Sequence, residues 1–234
     1  LRSVLPYLTY LTVFTYGFRE DGSLIPADDA EITGIARSYG VKTLLLISTL
    51  GEDGKFNNML STRLFSDTAA QERLIGALLE AVSGVEVDFE YIPRDDANRY
   101  VLFLTRLADA LHAEGYQLFT ALAPKTSADQ PGLLYEGHDY GAIGNIADYV
   151  ILMTYEWGYK YGPPGAVAPV GNVERVVKYA ITEIPPDRIL LGIPNYGYDW
   201  QLPYVSGITA AEGISNETAV SRAREVGSEI EYDT

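Results

Sequence analysis

Cysteine is absent from this 234-residue sequence, and histidine occurs twice, as His112 and His138. Without a thiol there is no cysteine nucleophile, no disulfide and no cysteine-type zinc site, and two histidines do not build a multi-histidine metal cage. The expectation is therefore no metal and no cofactor, with chemistry running on carboxylates, hydroxyls, amides and aromatic rings. Basic residues are also scarce: 17 Lys and Arg stand against 32 Asp and Glu, a formal net charge of −15. No run concentrates the positive charge, so the surface repels phosphate backbones and no nucleic-acid partner is expected. No stretch approaches the roughly 20 apolar residues that span a bilayer, and Leu1 opens no charged segment followed by an apolar core, so no membrane partner is expected either.

What is there is enough for a folded domain. The chain is 47% hydrophobic and 21% charged, sufficient for one substantial core. Its 18 tyrosines suit sugar binding, since aromatic rings stack on the apolar faces of pyranoses, although ordinary packing explains any single one equally well.

Short apolar runs alternate with longer amphipathic segments, the pattern of βα units around a parallel sheet. Strand-like runs fall near Tyr7 to Phe18, Val41 to Thr49, Gly84 to Tyr91, Tyr116 to Ala123, Asp148 to Tyr155 and Arg188 to Tyr196. Pro26 with Asp28 and Asp29 opens a helix that Gly40 closes, and Ser66-Asp67 opens another that ends at Gly84. The segment from Asp95 to Glu114 lines up Tyr100, Leu104, Leu107, Ala108 and Leu111 on one stripe, and Asn172 to Glu183 stops at Pro185-Pro186. With no linker, one domain over residues 1–234 is expected. Six strands do not close an eight-stranded barrel, so one strand is expected before Leu1 and one after Thr234, with the segment from about 202 to 234 beginning an insertion before the last strand.

The run Gly84-Val85-Glu86-Val87-Asp88-Phe89-Glu90-Tyr91 carries the most chemistry. Strict alternation puts three carboxylates on one face of a strand and Val85, Val87, Phe89 and Tyr91 on the other, adjacent acids being about 6.5 to 7 Å apart at their backbones. Flanked by helices, such a strand has no free face, so the acids are desolvated or line a barrel mouth. Burial beside a like charge raises a carboxyl pKa, which makes Glu90 the candidate proton donor. The competing reading is an antiparallel edge strand whose acidic face is simply wet.

This run resembles the D-x-x-D-x-D-x-E signature of the family 18 glycoside hydrolases, in register with Ser83, Glu86, Asp88 and Glu90; the first two positions depart from it. Leu152-Met153-Thr154-Tyr155-Glu156-Trp157 resembles the family's M-x-Y-D/E segment, Gly192-Ile193-Pro194-Asn195-Tyr196-Gly197 its G-x-P-x-Y-G run, and Ala121 to Lys125 its fifth-strand end. The wording of Tyr135 to Tyr140 and of Met153 to Gly158 is most similar to the branch that includes spore-cortex peptidoglycan lytic enzymes.

The resemblance implies a (β/α)8 TIM-type barrel, present here as about six βα units, that cuts N-acetylglucosamine-containing polysaccharide by substrate-assisted retention. It makes Glu90 the acid/base, Asp88 the partner of the acetamido N–H and Tyr155 the donor to the acetamido oxygen. It implies a bacterial protein that is secreted or associated with the spore or cell wall, with LysM-type wall-binding modules elsewhere in the full-length protein. Glu86, Glu156, Trp157, Asn195, Tyr196 and Tyr16 are candidate substrate-binding residues, with barrel-rim packing the alternative for the aromatics. For Glu86, sharing a proton with Asp88 and lying deeper against the backbone both stand open. His112 reads as a surface or packing residue, and for His138 substrate contact and a local loop hydrogen bond are both open. A chitinase or N-glycan endoglycosidase shares the mechanism; a carbohydrate-binding relative without catalysis usually lacks the terminal Glu. A phosphate-handling barrel is disfavoured, because no G-x-x-x-x-G-K-[ST] loop is present.

Overall fold

The expected alternation of apolar runs and amphipathic segments becomes strands and helices in the computed structural model, which describes residues 1–51, 53, 55–81 and 84–231. The strands are β1 (Tyr10–Phe18), β2 (Leu24–Ile25), β3 (Lys42–Ser48), β4 (Gly84–Asp88), β5 (Gln117–Leu122), β6 (Tyr149–Leu152) and β7 (Ile189–Leu191). They form one curled sheet in the order β2-β1-β3-β4-β5-β6-β7, parallel throughout except for the short β2, which turns back on β1 through Gly17 opposite Ile25. The helices α1 (Ala30–Ser38), α2 (Met59–Ser66), α3 (Thr68–Ala81), α4 (Ala97–Ala113), α5 (Leu133–Glu136), α6 (Tyr140–Ile146) and α7 (Val170–Glu183) alternate with them, giving a partial (β/α)8 barrel.

The local rules behind these elements are ordinary. Asp67 starts α3 by accepting the Ala69 and Ala70 amides at 2.9 and 3.1 Å. Gly40, at φ 75°, takes the left-handed turn that ends α1 and feeds β3. The stripe of α4 is buried as its spacing requires: Tyr100, Leu104, Leu107, Ala108 and Leu111 all lie in the core with Phe103. Val85, Val87 and Phe89 face this helix layer, where the Phe89 ring stacks on Phe103 at 5.9 Å and meets Phe18 at 5.5 Å. Each fully buried side chain of this size contributes about 1.5–3 kcal/mol.

Two stretches differ from the sequence expectation. The run expected from Arg188 to Tyr196 is broken by Gly192-Ile193-Pro194, whose proline cannot donate to a ladder. Beyond the break, β8 (Tyr196–Asp199) pairs antiparallel with β9 (Glu212–Ser215) as a separate hairpin. Helix α8 (Asn216–Val226) follows, capped by Ser215, and its Arg222 reaches Asp199 and Glu212 at 2.5 and 2.9 Å. The second difference is the strand expected as far as Tyr91, which leaves the ladder after Asp88. Ser83, the first position of the acidic motif, lies outside the described residues.

Candidate active site

Because β4 pairs parallel with both β3 and β5, it is an interior strand and the wet-edge reading does not apply. With Val85, Val87 and Phe89 committed to the helix layer, the period of two turns Glu86, Asp88 and Glu90 toward the concave side of the sheet. Glu86 is the deepest, 8% exposed. Its carboxyl is pushed up to about 7 by burial and by the charge of Asp88, against a hydrogen bond from Thr12 that pulls it down. Asp88 is raised to about 6 by burial. Glu90, at the mouth, is raised to about 7 by burial and then by Asp88. Among the described residues, Asp88 Oδ1 is the buried side-chain polar atom left without a hydrogen-bond partner. A buried acceptor in that state carries a desolvation cost of about 1–3 kcal/mol until a donor reaches it.

Tyr155 follows β6 and approaches the same acids from across the sheet. Burial, then the charges of Asp88, Glu90, Glu86 and Glu156, push its phenol up to about 12, so it remains an O–H donor at any physiological pH. Glu90 stands between two hollows. One, of about 440 Å³, is lined by Asp88, Glu90 and Tyr91 with Thr49, Phe56 and Asn58 from the loop after β3. The other, of about 320 Å³, includes Glu90, Tyr135, Tyr155, Glu156 and Trp157. Together they make a groove with the acid at its centre, aromatic on both sides.

The backbone turns sharply at both key positions. Tyr91, directly after Glu90, and Glu156, directly after Tyr155, hold φ at 55° and 66°, a left-handed conformation that costs a non-glycine residue of order 1–3 kcal/mol. Glu156 is held there by the Tyr196 and Tyr198 hydroxyls, which donate to its Oε1 at 2.5 and 2.9 Å. Burial and this carboxylate raise the Tyr196 phenol pKa.

Glu86, Asp88, Glu90, Tyr155, Glu156 and Trp157 therefore converge, with Tyr196 joined through Glu156. Two candidates lie elsewhere. Tyr16 packs into the core with its hydroxyl beside Asp29, and it lines neither hollow. Asn195 is exposed on the turn between β7 and β8, where Asn216 Nδ2 donates to it at 3.4 Å. Tyr91, expected on the core face by alternation, is 48% exposed and lines both hollows, because the left-handed turn ends the period of two. Phe56 and Asn58 were not singled out in the sequence; an aromatic in the loop after the second parallel strand was the available signal. His138 is buried and hydrogen-bonded to backbone on both sides, while His112 lies at the surface against Asp148 at 2.9 Å.

Similarity to known proteins bears on this geometry. The family model for Glycosyl hydrolases family 18 matches residues 3–233. The cortical fragment-lytic enzyme of Bacillus subtilis is 40% identical over 237 residues, covering 99% of this chain and 55% of that protein. The crystal structure of the Bacillus cereus spore cortex-lytic enzyme SleL matches with a TM-score of 0.93 at 36% identity, over 99% of this chain and 55% of that one. A chitinase from Chromobacterium violaceum matches with a TM-score of 0.88 at 25% identity, over all of this chain and 74% of that one. The chain thus spans about half the length of the cortex-lytic relatives it matches.

Proposed function

This chain belongs to family 18 of the glycosyl hydrolases, and on that premise we propose that it hydrolyses β-linked N-acetylglucosamine bonds in spore-cortex or cell-wall peptidoglycan by substrate-assisted retention. The observation that carries the reading is Asp88 Oδ1, a buried acceptor without a protein donor, set between two further acids and facing a phenol. An acetamido N–H supplies the missing donor. The acetamido oxygen then accepts from Tyr155 and is held in line with the anomeric carbon.

In the first step Glu90, kept partly protonated near neutrality by its raised pKa of about 7, gives its proton to the glycosidic oxygen while the acetamido oxygen forms the bond to the anomeric carbon. The leaving sugar departs with that proton. Asp88 offsets the positive charge that develops on the resulting oxazolinium ion, so its contribution is largest in the transition state. In the second step Glu90, now a carboxylate, takes a proton from water as the water opens the ring with net retention. Glu86, hydrogen-bonded by Thr12, lies below Asp88 and feels its charge. Trp157, Glu156 and Tyr91 are positioned for neighbouring sugars.

Peptidoglycan is favoured over chitin because the 36–40% identical relatives are cortex-lytic. Wall-binding LysM-type modules outside residues 1–234, in a protein that is secreted or held at the spore or wall, fit this substrate. The test is mass analysis of products after the full-length protein meets purified cortex peptidoglycan and, separately, chitooligosaccharides, with E90Q alongside. Expected are N-acetylglucosamine reducing ends from peptidoglycan and a loss in E90Q on the order of 10²–10⁴-fold. Cleavage of chitooligosaccharide alone overturns the substrate, and undiminished cleavage by E90Q overturns the mechanism.

A further inference from the structure

The tips of β4 and β5 part company at the barrel mouth. Their pairing runs from Gly84 opposite Gln117 to Val87 opposite Thr120, and the strands end at Asp88 and Leu122. Past those ends the Phe89 carbonyl and the Ala123 amide are buried strand-type groups that need partners. One side chain serves both. The Ala123 N–H donates to His138 Nδ1 at 2.9 Å, and Nε2 of the same ring bonds the Phe89 carbonyl oxygen at 2.9 Å. Since Nδ1 accepts, the proton sits on Nε2 and the ring is neutral. Burial, and secondarily the nearby Lys125, lower the ring's pKa to about 4 against the opposing effect of the Phe89 carbonyl, consistent with that state.

The ring is itself held from behind. Lys125 Nζ donates to the His138 carbonyl at 2.8 Å, and the Tyr140 hydroxyl donates to Ala123 O at 2.5 Å while accepting the Lys125 amide at 3.0 Å. His138 is fully buried and Lys125 nearly so.

We infer that His138 is a positioning residue, a side-chain rung between β4 and β5 that fixes the Phe89 peptide and so the directions in which Asp88 and Glu90 project. Phe89 is the residue between them, its ring locked in the core and its carbonyl locked by imidazole, so neither neighbouring acid can swing with the backbone. The inference rests on Asp88 and Glu90 being the reacting carboxyls proposed above. Imidazole suits the task because its donor and acceptor lie on different edges of a rigid ring. A glutamine amide offers both at one end of a flexible arm, and phenylalanine fills the space while leaving the two backbone groups unpaired.

The experiment compares H138F, H138Q and E90Q in the full-length protein, with kcat and KM expressed per folded molecule, and reads the wild-type ring by ¹⁵N NMR at pH 5. H138F is expected to lose kcat on the order of ten- to a hundred-fold with KM within about two-fold, and H138Q to recover part of it. The wild-type ring is expected to be neutral with its proton on Nε2, its signal identified by its loss in H138Q. Wild-type kcat in folded H138F, beside an inactive E90Q, overturns the rung and leaves Glu90 in its role. A ring protonated on Nδ1 also overturns it. An undiminished E90Q overturns the functional reading on which it rests. If H138F does not fold, kcat of H138Q and the wild-type ring tautomer, assigned with H138Q, decide.

Discussion

Three carboxyls raised together make this site sensitive to proton occupancy in a direction that can be worked out. Glu86, Asp88 and Glu90 have folded-state values of about 7, 6 and 7, above the unfolded carboxyl range near 4. The folded chain therefore binds protons more tightly than the unfolded chain. Stability from this source is fully present below pH ~4 and is lost as pH rises through the folded values, across roughly pH 4 to 7. E86Q removes the most buried of the three charges. It is expected to match wild type in urea unfolding near pH 4 and to exceed it by roughly 1–3 kcal/mol near pH 8; parallel pH dependences for the two proteins would contradict a buried, raised Glu86. At this scale the alternation of acids on one strand was legible, because period two is a local property of the chain. The placement of Tyr91 and Tyr16 was not. The first depends on a left-handed turn at the strand's end and the second on packing against the core beside Asp29 at the start of the following helix.

The strand-end turns depend on what the backbone itself can approach. Gly192, just past β7, donates its amide to Leu152 O at 2.9 Å and accepts the Thr154 hydroxyl at 2.8 Å, which seats β7 against the turn that carries Tyr155. A Cβ at this position would lie 2.5 Å from Leu152 O and 2.7 Å from Tyr155 Cε1. G192A is therefore expected to push the Tyr155 ring off its line toward the acids. Activity should fall by about ten-fold or more while the chain loses about 1–3 kcal/mol of stability, read by kinetics beside thermal unfolding. Wild-type turnover in G192A would mean that Tyr155 is not held by this contact. The parallel strands and the α4 stripe were legible because helix and strand periods differ. The β8–β9 hairpin was not, since its strands are four residues each and are joined by residues 200–211 rather than by a two-residue turn.

Across the whole molecule, a chain with a formal net charge of −15 gathers three raised carboxyls on one interior strand and the turn that follows it, and among the described residues one buried side-chain polar atom lacks a hydrogen-bond partner. That exception, Asp88 Oδ1, is the atom to which the proposed mechanism assigns the substrate amide, with Glu90 and Tyr155 beside it. Family membership was legible because its motifs fall at the ends of consecutive parallel strands, where a barrel brings distant segments together. The rung formed by His138 was not, because both its partners are backbone atoms and leave no trace in residue identity. In the proposed mechanism the sugar's acetamido oxygen, rather than a protein carboxylate, attacks the anomeric carbon. The direct measurement is kcat/KM on a set of N-acetylglucosaminides whose acetyl methyl carries zero, one, two or three fluorines, since each fluorine weakens that oxygen as a nucleophile. A progressive fall, reaching on the order of a hundred-fold or more at three fluorines, is expected; a rate indifferent to fluorination would contradict attack by the substrate.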